Sequence, residues 1–138
     1  MNFERRIDEL PRLFAFTAEM FAAHPCDASV ALAVDFALEE LFTNAVKYGG
    51  GQAPLVVTLT PLPGGFEFTI EDPDAEDFDP TASPDADVDA PLAQRQPGGL
   101  GLHLIRRMVD SIEYQYVTER RVSRVRIRKT NNKGAEGC

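Results

Sequence analysis

Leu10, Leu13, Phe14, Met20 and Phe21 recur at the three- and four-residue intervals that put side chains on one face of a helix. They predict an amphipathic helix over about 10–23, with Pro11 in the first turn, where a missing N–H costs little. The polar run at 24–29, HPCDAS, reads as a connection. Asp27 or Ser29 is a candidate N-cap for a second helix that reaches about Tyr48 and stops at Gly49, Gly50 and Gly51. Its apolar stripe is Ala31, Val34, Leu38, Leu41 and Ala45.

Beyond the glycines the period changes from helical to alternating. Leu55, Val57 and Leu59 alternate with Val56, Thr58 and Thr60, and after Pro63, Gly64 and Gly65 the residues Phe66, Phe68 and Ile70 do the same. This is the pattern of a β-hairpin. A third helix is predicted at about 102–110, on Leu102, Ile105, Met108 and Val109, behind Gly98, Gly99 and Gly101. Strands at 111–118 and 122–128 follow, with a turn at 119–121, and the last residues, NNKGAEGC, read as a disordered tail. Helices followed by antiparallel strands predict an α+β two-layer sandwich, with a mainly antiparallel mixed sheet covered by helices on one face.

Composition narrows the class. The 138 residues are 43% hydrophobic and 26% charged, the profile of one compact domain, here 1–130, with the tail at 131–138. No apolar run approaches the length of a membrane-spanning helix and the first ten residues are not those of a signal peptide, so a cytoplasmic protein is expected. Cys26 and Cys138 are expected to be free thiols. The formal charge of −8 argues against nucleic-acid and anionic-membrane partners. Most of it lies between Pro73 and Pro97, where seven acidic residues face Arg95 alone, and five prolines break any regular element. A loop this long in a compact domain is usually functional.

Three features carry chemistry. Glu40 and Asn44 stand four residues apart, about 40° around a helix, so both leave one face and can share a ligand. A carboxamide oxygen can ligate Mg²⁺ while a carboxylate takes a proton from an attacking hydroxyl, although the same spacing also fits a solvated helix face. Glu39 is one position off that face. The run Pro97-Gly98-Gly99-Leu100-Gly101-Leu102 would let backbone N–H groups approach phosphate oxygens at a helix start, or would simply be a glycine-rich turn. Neither a P-loop pattern nor the dinucleotide-binding GxGxxG is present. Asp72 ends the second strand, where a carboxylate can accept a hydrogen bond from adenine's exocyclic amine or open an Asp-Pro turn.

In this order, EELFTNAVKYG, TIEDPDAEDFDP and PGGLGLHLIRRMVD resemble the N, G1 and G2 boxes of the histidine-kinase-like ATPases of the Bergerat fold, over about residues 32–128. The resemblance implies ATP and Mg²⁺ as cofactors, Glu40 as general base, Asn44 as Mg²⁺ ligand, Asp72 as the adenine contact, and Gly99 and Gly101 as the phosphate cradle. It also implies nucleotide contacts from Lys47, Phe78, Leu100 and Leu102, and an ATP lid over about 73–97; Arg95, the one basic residue of that stretch, is expected to meet the γ-phosphate or a partner, or else to be a solvated loop cation. Within the superfamily the short chain, Glu rather than Asn at position 40, Phe78-Asp79-Pro80 and GGLGL are similar to bacterial anti-sigma serine/threonine kinases. Such proteins bind a sigma factor and phosphorylate an anti-sigma antagonist, and relatives commonly form homodimers. His24 and His103 do not have the setting of a phospho-acceptor.

The chain departs from the family pattern in three places. Asp74 stands where the G1 box has glycine, Lys47-Tyr48 looks like the sensor-kinase NAxKY, and the lid is acidic, which opposes a triphosphate. Two functions of different class follow: a Mg-ATP-dependent protein kinase, or a non-catalytic module of the same fold that binds nucleotide or sequesters a partner. A slow ATPase with no protein acceptor is a third.

Overall fold

The computed structural model describes residues 1–48, 51–73 and 99–131 of the 138. The elements run β1 (Asn2–Phe3), a 3-10 turn (Ile7–Glu9), α1 (Leu10–Ala23), α2 (Ala28–Tyr48), β2 (Leu55–Leu62), β3 (Gly65–Asp72), α3 (Gly99–Met108), β4 (Ser111–Val117) and β5 (Val122–Thr130). The proposed lid beyond Pro73, with Asp74, Phe78 and Arg95, and the tail from 132 lie outside the described residues. Among those that are described, the five strands form one antiparallel sheet in the order β1-β2-β3-β5-β4. The expected α+β architecture is the observed one.

Alternation along the strands decides which face is covered. Leu55, Val57, Leu59, Phe66, Phe68, Ile70, Val125 and Ile127 are buried and join Val30, Val34, Leu38, Leu41 and Phe42 of α2 in one core. Burying a side chain of this size contributes about 1.5–3 kcal/mol, so the register that points all of them inward is fixed by many such terms at once. Phe3 packs in this core against Phe42 at 6.2 Å and Phe16 at 6.3 Å. The opposite face carries charge: Arg124 pairs with Glu71, Arg128 with Glu67, and Arg126 lies 3.5 Å from Glu113. The chain turns from β2 to β3 at Pro63-Gly64, where Gly64 takes φ 79°, a conformation that costs glycine little. Gly65 lets β3 approach β5, since a Cβ there would run into the Lys129 carbonyl.

The helices fall close to the predicted spans, with differences that have physical causes. The buried face of α2 also takes in Val30, Ala33, Ala37 and Phe42, while Ala31 and Ala45 sit at its margin, because a helix lying across a sheet buries a band wider than one stripe. Asp27 occupies the N-cap position. Its carbonyl accepts from the N–H groups of Val30 and Ala31, and its carboxylate accepts from Asn131. α3 starts at Gly99, three residues earlier than expected, so Gly99 and Gly101 lie in its first turn rather than in a loop before it. Cys26 is a free thiol and burial pushes its pKa up; Cys138 lies outside the described residues.

β1 and the short turn after it carry no readable periodicity, yet they close one edge of the sheet. Asn2 and Phe3 pair with Val56 and Leu55. Arg12 holds this arm: its guanidinium lies 4.4 Å from the centre of the Phe3 ring, donates to the Asn2 carbonyl, and pairs with Glu9 at 2.9 Å. No helix among the described residues is long and apolar enough to cross a membrane.

Candidate functional site

The C-terminal half of α2 is built so that one side enters the core and the other stays accessible. Leu38, Leu41 and Phe42 are buried, which leaves Glu40 and Asn44 half-buried along the flank and Lys47 exposed one turn further on. These three are spaced i, i+4 and i+7 and therefore share a face. Glu39 is exposed, as its position off that face requires.

α3 packs directly on α2. Leu102 and Ile105 are buried and act as its anchors, and Leu102 is also one of the residues expected to contact the nucleotide. Anchoring there fixes where the first turn lies. A Cβ built on Gly101 would overlap the carboxyl of Glu40. Glu40 and Gly101, 61 residues apart in sequence, are thus in van der Waals contact, and a side chain at position 101 would require the end of the Glu40 side chain to move. Gly99 and Leu100 belong to the same first turn, whose N–H groups have no intrahelical acceptor and carry the positive end of the helix dipole.

These residues suit a magnesium-bound triphosphate. Backbone N–H groups of a glycine-rich helix start favour phosphate oxygens. Mg²⁺ keeps several waters and is commonly held by one or two protein groups plus phosphates, so the single Asn44 carboxamide is a sufficient donor set. Among the described residues no cluster of three or more His, Cys, Asp or Glu forms an all-protein metal cage.

Asp72 is the last residue of β3, and β3 lies against α2. Its carboxylate, largely buried with 17% of the side chain exposed, is engaged by a residue that no sequence motif flags. The guanidinium of Arg5, itself 11% exposed, donates through Nη2 to Asp72 Oδ1. Arg5 Nε also donates to the Ala53 carbonyl at 2.7 Å, and Nη2 lies 3.4 Å from the Pro73 carbonyl. Arg5 Nη1 is buried and has no hydrogen-bond partner among the described residues. Gly51 gives the guanidinium room, because a Cβ there would come within 2.7 Å of Nη2 and 3.0 Å of the Pro73 carbonyl.

Two groups are therefore assembled, Glu40 with Gly101 and Asp72 with Arg5, on elements that pack on one another. Asn44 and Lys47 extend the first, while Phe78 and Arg95 lie outside the described residues. His103 lies within α3, where its Nε2 accepts from Arg107 at 3.1 Å.

The model of one family, the histidine kinase-like ATPase domain, matches residues 3–129. No curated protein matches the chain. The matched span includes every residue of both groups and nearly all of the described fold, and the three boxes fall on α2, the end of β3 and the start of α3. The chain belongs to the histidine kinase-like ATPase family, whose members bind ATP.

Proposed function

We propose that this protein is a cytoplasmic, Mg-ATP-dependent serine/threonine kinase of the anti-sigma type, which binds a sigma factor and phosphorylates an anti-sigma antagonist. The observation that carries this reading is the contact of Glu40 with Gly101: it sets a carboxylate beside the glycine turn, on the helix face that also bears Asn44. Bound Mg-ATP supplies the transferable phosphoryl group. Gly99 and Gly101 offer N–H donors to its phosphates, Asn44 offers an oxygen to its metal, and Asp72 offers an acceptor to the base. Glu40 takes the proton from the serine or threonine hydroxyl of the partner as that oxygen bonds to the γ-phosphorus and the bond from that phosphorus to the β–γ bridging oxygen breaks, with ADP as the leaving group. The anchors Leu102 and Ile105 keep the glycine turn in register with the carboxylate.

Glu40→Gln keeps the packing on Gly101 and removes the base. Removing a general base costs about 10²–10⁴-fold in rate. Transfer of labelled γ-phosphate to the antagonist is expected to fall by that factor, with the nucleotide dissociation constant unchanged. Transfer at the wild-type rate would remove Glu40 from the role.

A second reading is favoured by the acidic stretch between Pro73 and Pro97 and by Asp74 in place of the G1-box glycine, both of which oppose a bound triphosphate. There the domain sequesters its partner without catalysis. Calorimetry separates the two, because a pure sequestering module binds sigma factor with no heat from millimolar Mg-ATP and yields no phosphoprotein.

A further inference from the structure

We propose that Arg5 reads the nucleotide base, donating through Nη1 to a purine ring nitrogen while Asp72 accepts from the neighbouring exocyclic amine. This rests on the assignment of Asp72 to the base end of the site.

The guanidinium is fixed before any ligand arrives. Nε is committed to the Ala53 carbonyl and Nη2 to Asp72 and Pro73, so the planar fork is tied to both the 51–54 connection and the end of β3. Little rotamer entropy remains to be lost when a further bond forms. Nη1 is the part left over. A buried donor of a charged group without an acceptor is costly, and an acceptor brought to it would recover that cost. The Asp72 carboxylate has lone-pair capacity beyond the one bond from Arg5. Arg5 and Asp72 thus set a charged donor beside a charged acceptor. Adenine carries the complement on two edges, a ring nitrogen next to the amine in each case, N1 on one and N7 on the other.

The ion pair also changes what Asp72 contributes. A lone carboxylate would face the base with a full negative charge, close to a triphosphate that is itself anionic. Paired with Arg5 it is neutral as a unit, so its selectivity comes from hydrogen-bond geometry rather than from net charge.

The test is calorimetry with Mg-ATP and its 1-deaza and 7-deaza analogues, each of which lacks one ring nitrogen, on the wild-type chain, Arg5→Ala and Arg5→Lys. The wild-type chain is expected to bind one of the analogues about tenfold more weakly than ATP, the equivalent of about 1.4 kcal/mol. In Arg5→Ala the difference between ATP and that analogue should vanish. Arg5→Lys keeps a cation against Asp72 and preserves the fold if the alanine variant does not, yet it lacks the second arm of the fork, so it too should lose the discrimination. If either variant still separates ATP from the weak analogue as the wild type does, or if the wild type binds both analogues as well as it binds ATP, Arg5 has only a structural role and the proposal is overturned. Absence of ATP binding by the wild-type chain is a different result: it removes the nucleotide reading itself, and this inference with it.

Discussion

The two ends of the candidate site are held by opposite means. At the triphosphate end a helix start is pressed against the flank of another helix, and the fit depends on an atom that is missing, the Cβ of Gly101 beside Glu40. At the base end a charged side chain bridges three segments, and the fit depends on an ion pair between Arg5 and Asp72. Steric contacts fail abruptly and are indifferent to salt and pH, whereas a partly exposed ion pair weakens gradually with both. One end should therefore respond to volume and the other to charge.

The sharpest attack on that distinction is Gly101→Ala. The new methyl group must displace the Glu40 carboxyl, the end of a flexible and half-buried side chain, so the cost to stability should be about 1 kcal/mol or less, at the low end for overpacking, while the carboxylate leaves its place. Transfer activity should fall about 10²-fold or more, since a displacement near 1 Å suffices for that loss. The effect should depend on its partner. In a Glu40→Ala background the obstruction is gone, and alanine replacing glycine in a helix is worth up to about 1 kcal/mol, so the same substitution should raise the urea midpoint there. Additive stability changes across the four chains would mean that Glu40 and Gly101 are not in contact.

Asp72→Asn asks the complementary question. The shape is retained and the charge is lost, which leaves Arg5 mostly buried beside a neutral amide. Breaking a fully buried pair costs about 3–5 kcal/mol and an exposed one about 0–1; with 17% and 11% of these side chains exposed, about 1–3 kcal/mol is expected in urea unfolding at low salt, and less in 0.5 M salt. A loss smaller than about 0.5 kcal/mol, the usual scatter for surface changes, would show that the base end is not held by charge.

The same contrast explains what could be read from the residue order. The helices, both hairpins and the glycine run were legible because each is encoded locally, by period 3.6, by period 2, or by a turn residue. Glu40 and Asn44 were legible as a pair since one helix carries both, and Glu39 was correctly set apart by its phase. Their contact with Gly101 was not, because it depends on how α3 docks through Leu102 and Ile105. Arg5 was invisible for a stronger reason. It lies 67 residues from Asp72, in a segment whose two-residue strand is too short for any period to register, and nothing in MNFERRIDEL distinguishes Arg5 from Arg6, which pairs instead with Asp8 at the exposed surface. The stripe assigned to α2 missed Val30, Ala33, Ala37 and Phe42 since a single stripe understates the width of a helix face packed on a broad sheet.

The smallest effect expected is a pH dependence confined to the base end, through the arm that carries Arg5. The carboxyl of Glu9 is held at about 2, below its ordinary 4.5, chiefly by the hydrogen bonds from Arg12 and then by the N–H of Glu4. A carboxylate whose folded pKa lies below its unfolded one stabilises the fold fully above the unfolded value and loses that contribution as pH falls toward the folded value, here between about 4.5 and about 2. Arg12 holds Asn2 and Phe3 while Glu9 holds the N–H of Glu4, so acidification through this window should lower the amide protection factors, corrected for intrinsic exchange at each pH, at Phe3 and Arg5 while those in α3 stay as they were. Arg12→Met should move the Glu9 titration, followed by its carboxyl carbon shift, up toward 4.5 and make the arm exchange faster already at neutral pH. If α3 loosens in step with the arm at pH 3, the two ends are one cooperative unit. The difference between a site end held by volume and one held by charge then has no consequence for how the protein opens.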